Sequence, residues 1–423
     1  MDDQSERPPT SLNARQPRAK KSTSSEDMQP SAGENSTLFQ ADLPANAPRS
    51  LRELIDRVSG RGFRSQFVAE DAGLAETLPF PFLALVSQAE MKLALVLALI
   101  NPAVGGVLLI GPRGTGKTTA VRSLVDLLPE APRSLCYYGC MPEDVEAGGI
   151  DAVCPDCAQK YALGEPLAKL DRVRLVELPL NARLEDVVGG LDERAAIHER
   201  MRIHRGILAQ ADKHLLYVDE VNLLSNDIVD AILDAAAQGR YTVRRGPVSA
   251  TYYARFSLVG SMNPEEGSLR PQIMDRFGLR VVVRGLTEAD DRLEAYRRVQ
   301  AYQTNPRRTV GEYEPETALL REDIQAARDI IHQVVLPDEI AHIGLSMIKE
   351  LKIDSLRAEI TLFEAARAYA AADNRLEVSL ADLKAVAPFS LRYRRSSFMV
   401  EFFNHQETED GEIKSVIDQI SSH

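Results

Sequence analysis

Lys117 stands in the octamer Gly111-Pro-Arg-Gly-Thr-Gly-Lys-Thr118, and glycines, an ammonium and a hydroxyl at that spacing suit one task, the holding of a polyphosphate. Glycines at 111, 114 and 116 let backbone N–H groups close around phosphate oxygens, and the N-terminus of a following helix adds partial positive charge. Gly111, Pro112, Arg113, Gly114, Thr115, Gly116, Lys117, Thr118 and Thr119 are therefore the expected nucleotide-binding residues. Lys117 would reach the β and γ phosphates of ATP, while the Thr118 hydroxyl would ligate Mg²⁺. The plain alternative is a glycine-rich turn. Context speaks against it, because the octamer directly follows the apolar run GVLLI and precedes a helix expected at 118–128.

A second constellation lies about a hundred residues on. His214-Leu-Leu-Tyr-Val-Asp-Glu220 is an apolar strand that ends in two acids. Asp219 at its tip can hold a water on Mg²⁺, and Glu220 can orient or deprotonate the attacking water. On its own this pair reads equally as the edge of a solvated loop; behind a phosphate loop it reads as the hydrolytic half of an ATPase. Arg255-Phe-Ser-Leu-Val-Gly-Ser-Met-Asn263 is another apolar strand with a polar end. Asn263 could hydrogen-bond the γ-phosphate or the lytic water, the alternative being a turn-forming Asn before Pro264. Ligands of open α/β sheets bind at the carboxyl ends of strands, and three such ends converging on one crevice favour the functional reading.

The elements that must position these groups follow from periodicity. Strands are expected at 106–110, 174–178, 215–218, 255–260 and 279–283, alternating with helical patterns as an α/β unit with a mostly parallel sheet requires. After residue 285 strand signals nearly vanish, and 290–300, 320–334, 338–351 and 358–372 read as amphipathic helices. The expected organisation is a tail at 1–50, an α/β ATPase domain at 51–285 with a cysteine-rich insertion at 136–157, an all-α lid at 286–400 and an acidic tail at 401–423. The first tail is crowded with Ser, Pro, Asn and Gln and has too little apolar surface to order itself. It also lacks a signal-peptide core, and its Asp2, Asp3 and Glu6 do not suit an organelle transit peptide, which makes the cytoplasm the default location.

At 423 residues, 44% hydrophobic and 26% charged, the chain is long enough for two folded units. No apolar run reaches the roughly 18 residues of a membrane span, and residues 91–100, which include Lys92, read as a packed helix. A net charge of −12 argues against a broad nucleic-acid-coating face and for protein partners.

Beyond these general features, PFLALVSQAEMKLAL at 81–95, GPRGTGKTTAVRSL at 111–124, LPLNARLEDVVGGLD at 178–192, LLYVDEVNLLSNDIVDAILDAAAQGRYTVRR at 215–245 and LVGSMNPEEGSLRPQIMDRFGLRV at 258–281 occur together and in this order. This set resembles the I subunits of magnesium chelatase, within the AAA+ ATPases, over about three quarters of the chain (79–395), and VVLPDEIAHIGLSMIKELKIDSLRAEITLFEAARAYAA at 334–371 carries the likeness into the helical region. The resemblance implies a AAA+ P-loop domain followed by a helical lid, and a hexameric ring with ATP at each subunit boundary. It implies further that Arg276 is an arginine finger reaching the neighbour's γ-phosphate and that Arg357 is a sensor-2 arginine joining lid to nucleotide, with Asp275 and Arg270 as candidates to orient the finger. Partners would be the D subunit and the porphyrin-binding H subunit, this chain being the motor and not the metal-inserting site. The segment 241–254 resembles a hairpin that points to the ring pore or a partner, an ordinary exposed hairpin being the alternative. A AAA+ remodelling ATPase of the MoxR or cobaltochelatase kind, a helicase-like motor and a non-hydrolysing scaffold are the competing readings; intact Lys117, Asp219 and Glu220 oppose the last.

All four cysteines fall within 22 residues, as Cys136-x3-Cys140-x13-Cys154-x2-Cys157. The spacing is that of a four-cysteine structural zinc knuckle. Reduced independent thiols and a redox-sensitive pair are the alternatives.

Overall fold

The structure is a computed structural model that describes residues 78–395 apart from 129, 137, 191–202 and 247. The tails expected at 1–50 and 401–423 lie outside the described residues. Helix α1 (Ala89–Ile100) leads to strand β1 (Val107–Ile110). All four β1 residues are buried, as a central strand covered on both faces demands. The phosphate-loop octamer comes next, and helix α2 (Lys117–Ser123) starts at Lys117 itself. The chain then leaves the sheet for an excursion, in which β2 (Glu130–Ser134) and β3 (Ala168–Arg172) pair antiparallel around helices α3 (Pro142–Gly148) and α4 (Pro155–Ala162). It returns through β4 (Leu175–Glu177), the short helices α5 (Leu184–Val188) and α6 (Ile207–Gln210), and β5 (Leu215–Val218). Helix α7 (Asn226–Gln238), the hairpin of β6 (Arg240–Arg245) and β7 (Val248–Tyr253), then β8 (Ser257–Met262), α8 (Pro271–Arg276) and β9 (Leu279–Val282) complete the α/β part. Helices α9 (Ala289–Thr304), α10 (Pro306–Ile330), α11 (Asp338–Glu350), α12 (Leu356–Ala372) and α13 (Leu380–Leu391) follow.

The sheet has the order β4-β5-β8-β1-β9, and every pairing in it is parallel. Side chains alternate across it with a period of two. Val107, Leu109, Leu215, Tyr217 and Val259 enter one core, while Leu108, Ile110, Leu216, Val218 and Leu258 enter the other. The parallel sheet and its five strands agree with the sequence expectation. β2 and β3 escaped it because the alternating signal there is interrupted by Pro132 and by charged residues on exposed ground.

The first core continues without a break into the helical region, through Ile324 and Ala327 of α10, Ile348 of α11, Leu362 of α12 and Leu383 of α13. Six alanines of α12 are buried, and such small side chains let neighbouring helices approach closely. α10 runs for 25 residues with Pro315 inside it, whereas periodicity gave only its second half. Proline removes one helix hydrogen bond, and packing of α10 against α1, α9 and α12 outweighs that local loss.

Gly111 shows how the sheet constrains the loop. A Cβ there would lie 2.1 Å from the Val283 carbonyl oxygen, a backbone atom, so the first glycine of the octamer is needed for the approach of the β9 end. Gly111→Ala is expected to lower the thermal unfolding midpoint by about 3–10 °C, from overpacking of about 1–3 kcal/mol. Scanning calorimetry checks this, and an unchanged midpoint would mean that the two strand ends separate freely.

Candidate functional site

With β8 between β1 and β5, the tips that carry the octamer, Asn263 and the Asp219-Glu220 pair lie side by side. The Gly111 N–H donates to the Met262 carbonyl at 3.1 Å, which fixes the loop against the end of β8. Lys117 is only 9% exposed and donates to the carbonyls of Gly111 at 2.7 Å and Pro112 at 2.8 Å. Burial pushes its pKa below the ordinary lysine value, against the opposing fields of Asp219, Glu220 and Glu266. Gly114 and Gly116 have φ of +76° and +84°, and a Cβ on either would meet nothing within 4 Å. The loop thus bends in a conformation that favours glycine and leaves open space inside it. That cradle, with a buried cation at its base, fits a polyphosphate. Thr115 donates to the Pro112 carbonyl at 3.0 Å, and Thr119 is exposed on α2.

Around Thr118 the structure assembles hard oxygen donors. Its Oγ1 lies 3.5 Å from Asp219 Oδ2 and 3.1 Å from the Tyr217 hydroxyl. Tyr217 donates to Asp219 Oδ1 at 2.8 Å, and the Ser261 hydroxyl donates to the same oxygen. Desolvation is the main cause that raises the Tyr217 pKa, so this hydroxyl stays a neutral donor. A hydroxyl and a carboxylate at this separation suit Mg²⁺, which prefers oxygen ligands and keeps several waters. Tyr217→Phe removes one of the donors that orient Asp219, and we expect the Mg²⁺ concentration needed for half-maximal ATPase to rise about three- to tenfold, as for loss of one hydrogen bond. A Mg²⁺ titration of phosphate release measures it, and an unshifted curve would remove Tyr217 from this role.

Glu220 occupies the left-handed region at φ 49° and ψ 52°, a costly conformation for a residue with a side chain. Its N–H donates to Ser261 Oγ and to Asp219 Oδ1, each at 3.2 Å. Its carboxylate pairs with Arg113 of the loop at 3.3 Å, and the same guanidinium meets Glu266 at 2.6 Å. Asn263 is buried; its Oδ1 accepts from the Glu265 N–H at 3.3 Å and its amide donates to Glu266 Oε1 at 3.1 Å. Asn263 therefore forms the turn before Pro264 and also joins the crevice, through Glu266 and Arg113.

Arg276 and Arg357 lie elsewhere. Arg276 ends α8, with two residues between it and the start of β9, which is the amino edge of a sheet whose carboxyl edge holds the octamer. One four-residue strand, roughly 13 Å, separates the two edges. Arg276 pairs with Asp234 at 2.8 Å and Asp230 at 3.6 Å on α7, and Arg270 meets Asp230 at 3.3 Å. Arg357 pairs with Asp275 at 3.4 Å. Asp275 also meets Arg394 at 2.8 Å and Arg280 at 3.4 Å and accepts from Ser355 at 3.0 Å. Burial pulls the pKa of Arg280 down to about 9.

Tyr217, Ser261 and Glu266 were missed in the sequence. Tyr217 was legible in principle, since it lies two positions before Asp219 on one strand and so shares its face. Ser261 is a polar residue in the buried run 258–262 of β8, a pattern that asks for a partner. Glu266 had no signal, because its reach depends on the turn that Asn263 builds.

The cysteine-rich excursion has its own small apolar cluster, in which Cys140, Cys154 and Cys157 pack with Val145, Val153 and Leu167. All four sulfurs lie within 4.8 Å of one another. The hairpin of β6 and β7 carries the paired rings of Tyr241 and Tyr252, 5.8 Å apart, and Arg205 stacks over Tyr252 at 5.5 Å.

Comparison with known proteins matches residues 104–244 to the AAA domain family and residues 347–416 to the AAA lid domain. A protein of Methanocaldococcus jannaschii named magnesium-chelatase subunit ChlI homolog is 41% identical over 334 residues, which cover 78% of this chain and 90% of that one. The magnesium-chelatase 38 kDa subunit of Acidiphilium rubrum is 42% identical over 317 residues, 74% of this chain and 90% of its own length. Its counterpart in Cereibacter sphaeroides is 40% identical over 318 residues, 75% and 92% of the two chains. The remodelling alternative has no counterpart among these three.

Proposed function

The chain belongs to the magnesium-chelatase I-subunit family of AAA ATPases, and from that premise we propose that it is the ATP-hydrolysing motor of a magnesium chelatase, driving Mg²⁺ insertion into protoporphyrin IX in (bacterio)chlorophyll synthesis. The observation that supports this reading most is the meeting of Thr118 and Asp219 at 3.5 Å beside a buried Lys117 and an open glycine cradle. In this reading the amides of 111–118 and Lys117 hold the phosphates of ATP, and Thr118 and Asp219 hold the nucleotide's Mg²⁺. That ion supplies charge neutralisation on the phosphates; the Mg²⁺ delivered to the porphyrin is a separate ion and a substrate. Glu220 orients the attacking water and takes its proton, and Asn263 stands at the neighbouring tip with Glu266 and Arg113. Arg276, on the far edge from its own loop, offsets charge on the γ-phosphate of an adjacent copy. Arg357 shares that edge through Asp275, so any nucleotide it senses belongs to the same neighbour.

Residues 51–285 act as motor and 286–400 as lid, between tails at 1–50 and 401–423. The assembly is a hexameric ring that works in the cytoplasm with a D subunit and a porphyrin-binding H subunit. Among the described residues no helix is long and apolar enough to cross a membrane. The four cysteines take no part in hydrolysis.

Reconstitution tests the proposal. With D and H subunits, protoporphyrin, Mg²⁺ and ATP, fluorescence of Mg-protoporphyrin is expected to grow only when this chain is present. Product formed at the same rate without it, or an active ATPase that never supports product, would overturn the assignment.

A further inference from the structure

We infer that Cys136, Cys140, Cys154 and Cys157 form a tetrathiolate site for one structural Zn²⁺, which holds the excursion of residues 130–172 together. Four sulfurs around one zinc at about 2.3 Å lie about 3.8 Å apart. Here Cys136 Sγ is 3.8 Å from Cys140 Sγ and 3.5 Å from Cys154 Sγ, and no pair of the four exceeds 4.8 Å. The thiols are free, at separations well beyond the roughly 2.05 Å of a disulfide. Iron–sulfur clusters place inorganic sulfide between their thiolates and spread them wider, which leaves room here for a single ion. Four soft donors select zinc over Mg²⁺ or Ca²⁺, and they fill the tetrahedron, so the site has no open position for catalysis.

The local backbone serves those sulfurs. The Tyr138 N–H donates to Cys136 Sγ at 3.3 Å, the Cys154 N–H to Cys140 Sγ at 3.3 Å and the Cys157 N–H to Cys154 Sγ at 3.4 Å. Gly139 turns the first pair at φ +67°, and Cys154 caps α4. Among its described residues the excursion has little apolar support of its own. α3 and α4 have seven and eight residues, short of what makes a helix stable alone, and the apolar cluster around the cysteines is separate from the two main cores. Units with so small a core are commonly supplemented by a metal or disulfides.

The excursion is also docked. Glu143 of α3 pairs with Lys213 and, at 3.2 Å, with Arg255. Asp144 pairs with Arg205 at 3.7 Å, the residue that stacks on Tyr252 of the β6–β7 hairpin. A zinc-held α3 therefore keeps two acids in place beside the base of that hairpin.

Elemental analysis of the full chain purified from zinc-replete cells is expected to give one zinc per chain. A mercurial titration should release it as four thiols react, and trypsin should then cut within 130–172, where the zinc-loaded protein resists. Cys154→Ser and Cys157→Ser should each lower zinc occupancy at least tenfold. Since these variants can fail to fold, Co²⁺ exchange into the unsubstituted protein provides an independent reading, with thiolate-to-cobalt charge-transfer bands and intense tetrahedral d–d bands expected. Four free thiols with neither zinc nor cobalt bands, an isolated disulfide, or bound iron in zinc's place would each overturn the proposal. Failure here would leave the ATPase assignment untouched, because none of these residues contacts the phosphate crevice.

Discussion

Replacing Lys117 with alanine is expected to lower ATP hydrolysis by about 10²–10³-fold or more, the scale for losing a principal electrostatic contact to a reacting group. Nucleotide affinity should fall with it. In the structure the ammonium is held by two carbonyls of its own loop, so it is already at the base of the cradle. The fold should not suffer. The pKa of Lys117 is depressed by burial, which means that its charged form costs stability at every pH below the folded-state value, and alanine removes that cost. Lys117→Ala is therefore expected to lose phosphate release and fluorescent-nucleotide binding while keeping or raising its unfolding midpoint. Wild-type hydrolysis in this variant would remove the phosphate-loop assignment; a collapsed midpoint would mean that the lysine serves the fold.

Arg276→Ala makes the second large effect, and it separates binding from chemistry. The arginine is about a strand's length from its own loop and paired with Asp230 and Asp234, so nucleotide binding by the same chain should be nearly unchanged. Hydrolysis should fall by about 10³–10⁵-fold, as when an arginine finger is withdrawn. Glu220→Gln should be equally inactive alone. Mixed in equal amounts, the two variants should recover activity, because an Arg276→Ala subunit keeps its Glu220 and can receive Arg276 from a Glu220→Gln neighbour. Random assembly puts the required pair at about a quarter of interfaces, which sets the expected recovery near a quarter of wild-type turnover. No recovery at any mixing ratio would refute action across an interface.

The strand tips were legible because two signals coincide there. A run such as VLLI at 107–110 or LLYV at 215–218 is apolar at every position, as only a strand covered on both faces is, and each run stops at glycine or at a residue that carries charge. Arg276 was different, since nothing in Met-Asp-Arg-Phe-Gly sets it apart from a surface ion pair, and a surface ion pair is how it stands in the single chain. Only the likeness to known ATPases suggested a role for it. Ser261 and Tyr217 had local signals, and Glu266 had none, since three-residue turns bring side chains together by geometry that periodicity does not encode. The cysteines were legible as a group from spacing alone, but spacing does not choose among zinc, free thiols and a redox pair, which differ in how far apart the sulfurs stand.

The opposed placement of Arg276 and the phosphate loop has an arithmetical consequence. In the head-to-tail row proposed above, each copy lends its arginine forward and receives one from behind, so an open row of any length contains one crevice without a donor and one donor without a crevice. Joining the ends repairs both defects at once. Closure thus gains a working site as well as an interface, and it gains proportionally most when the row is short.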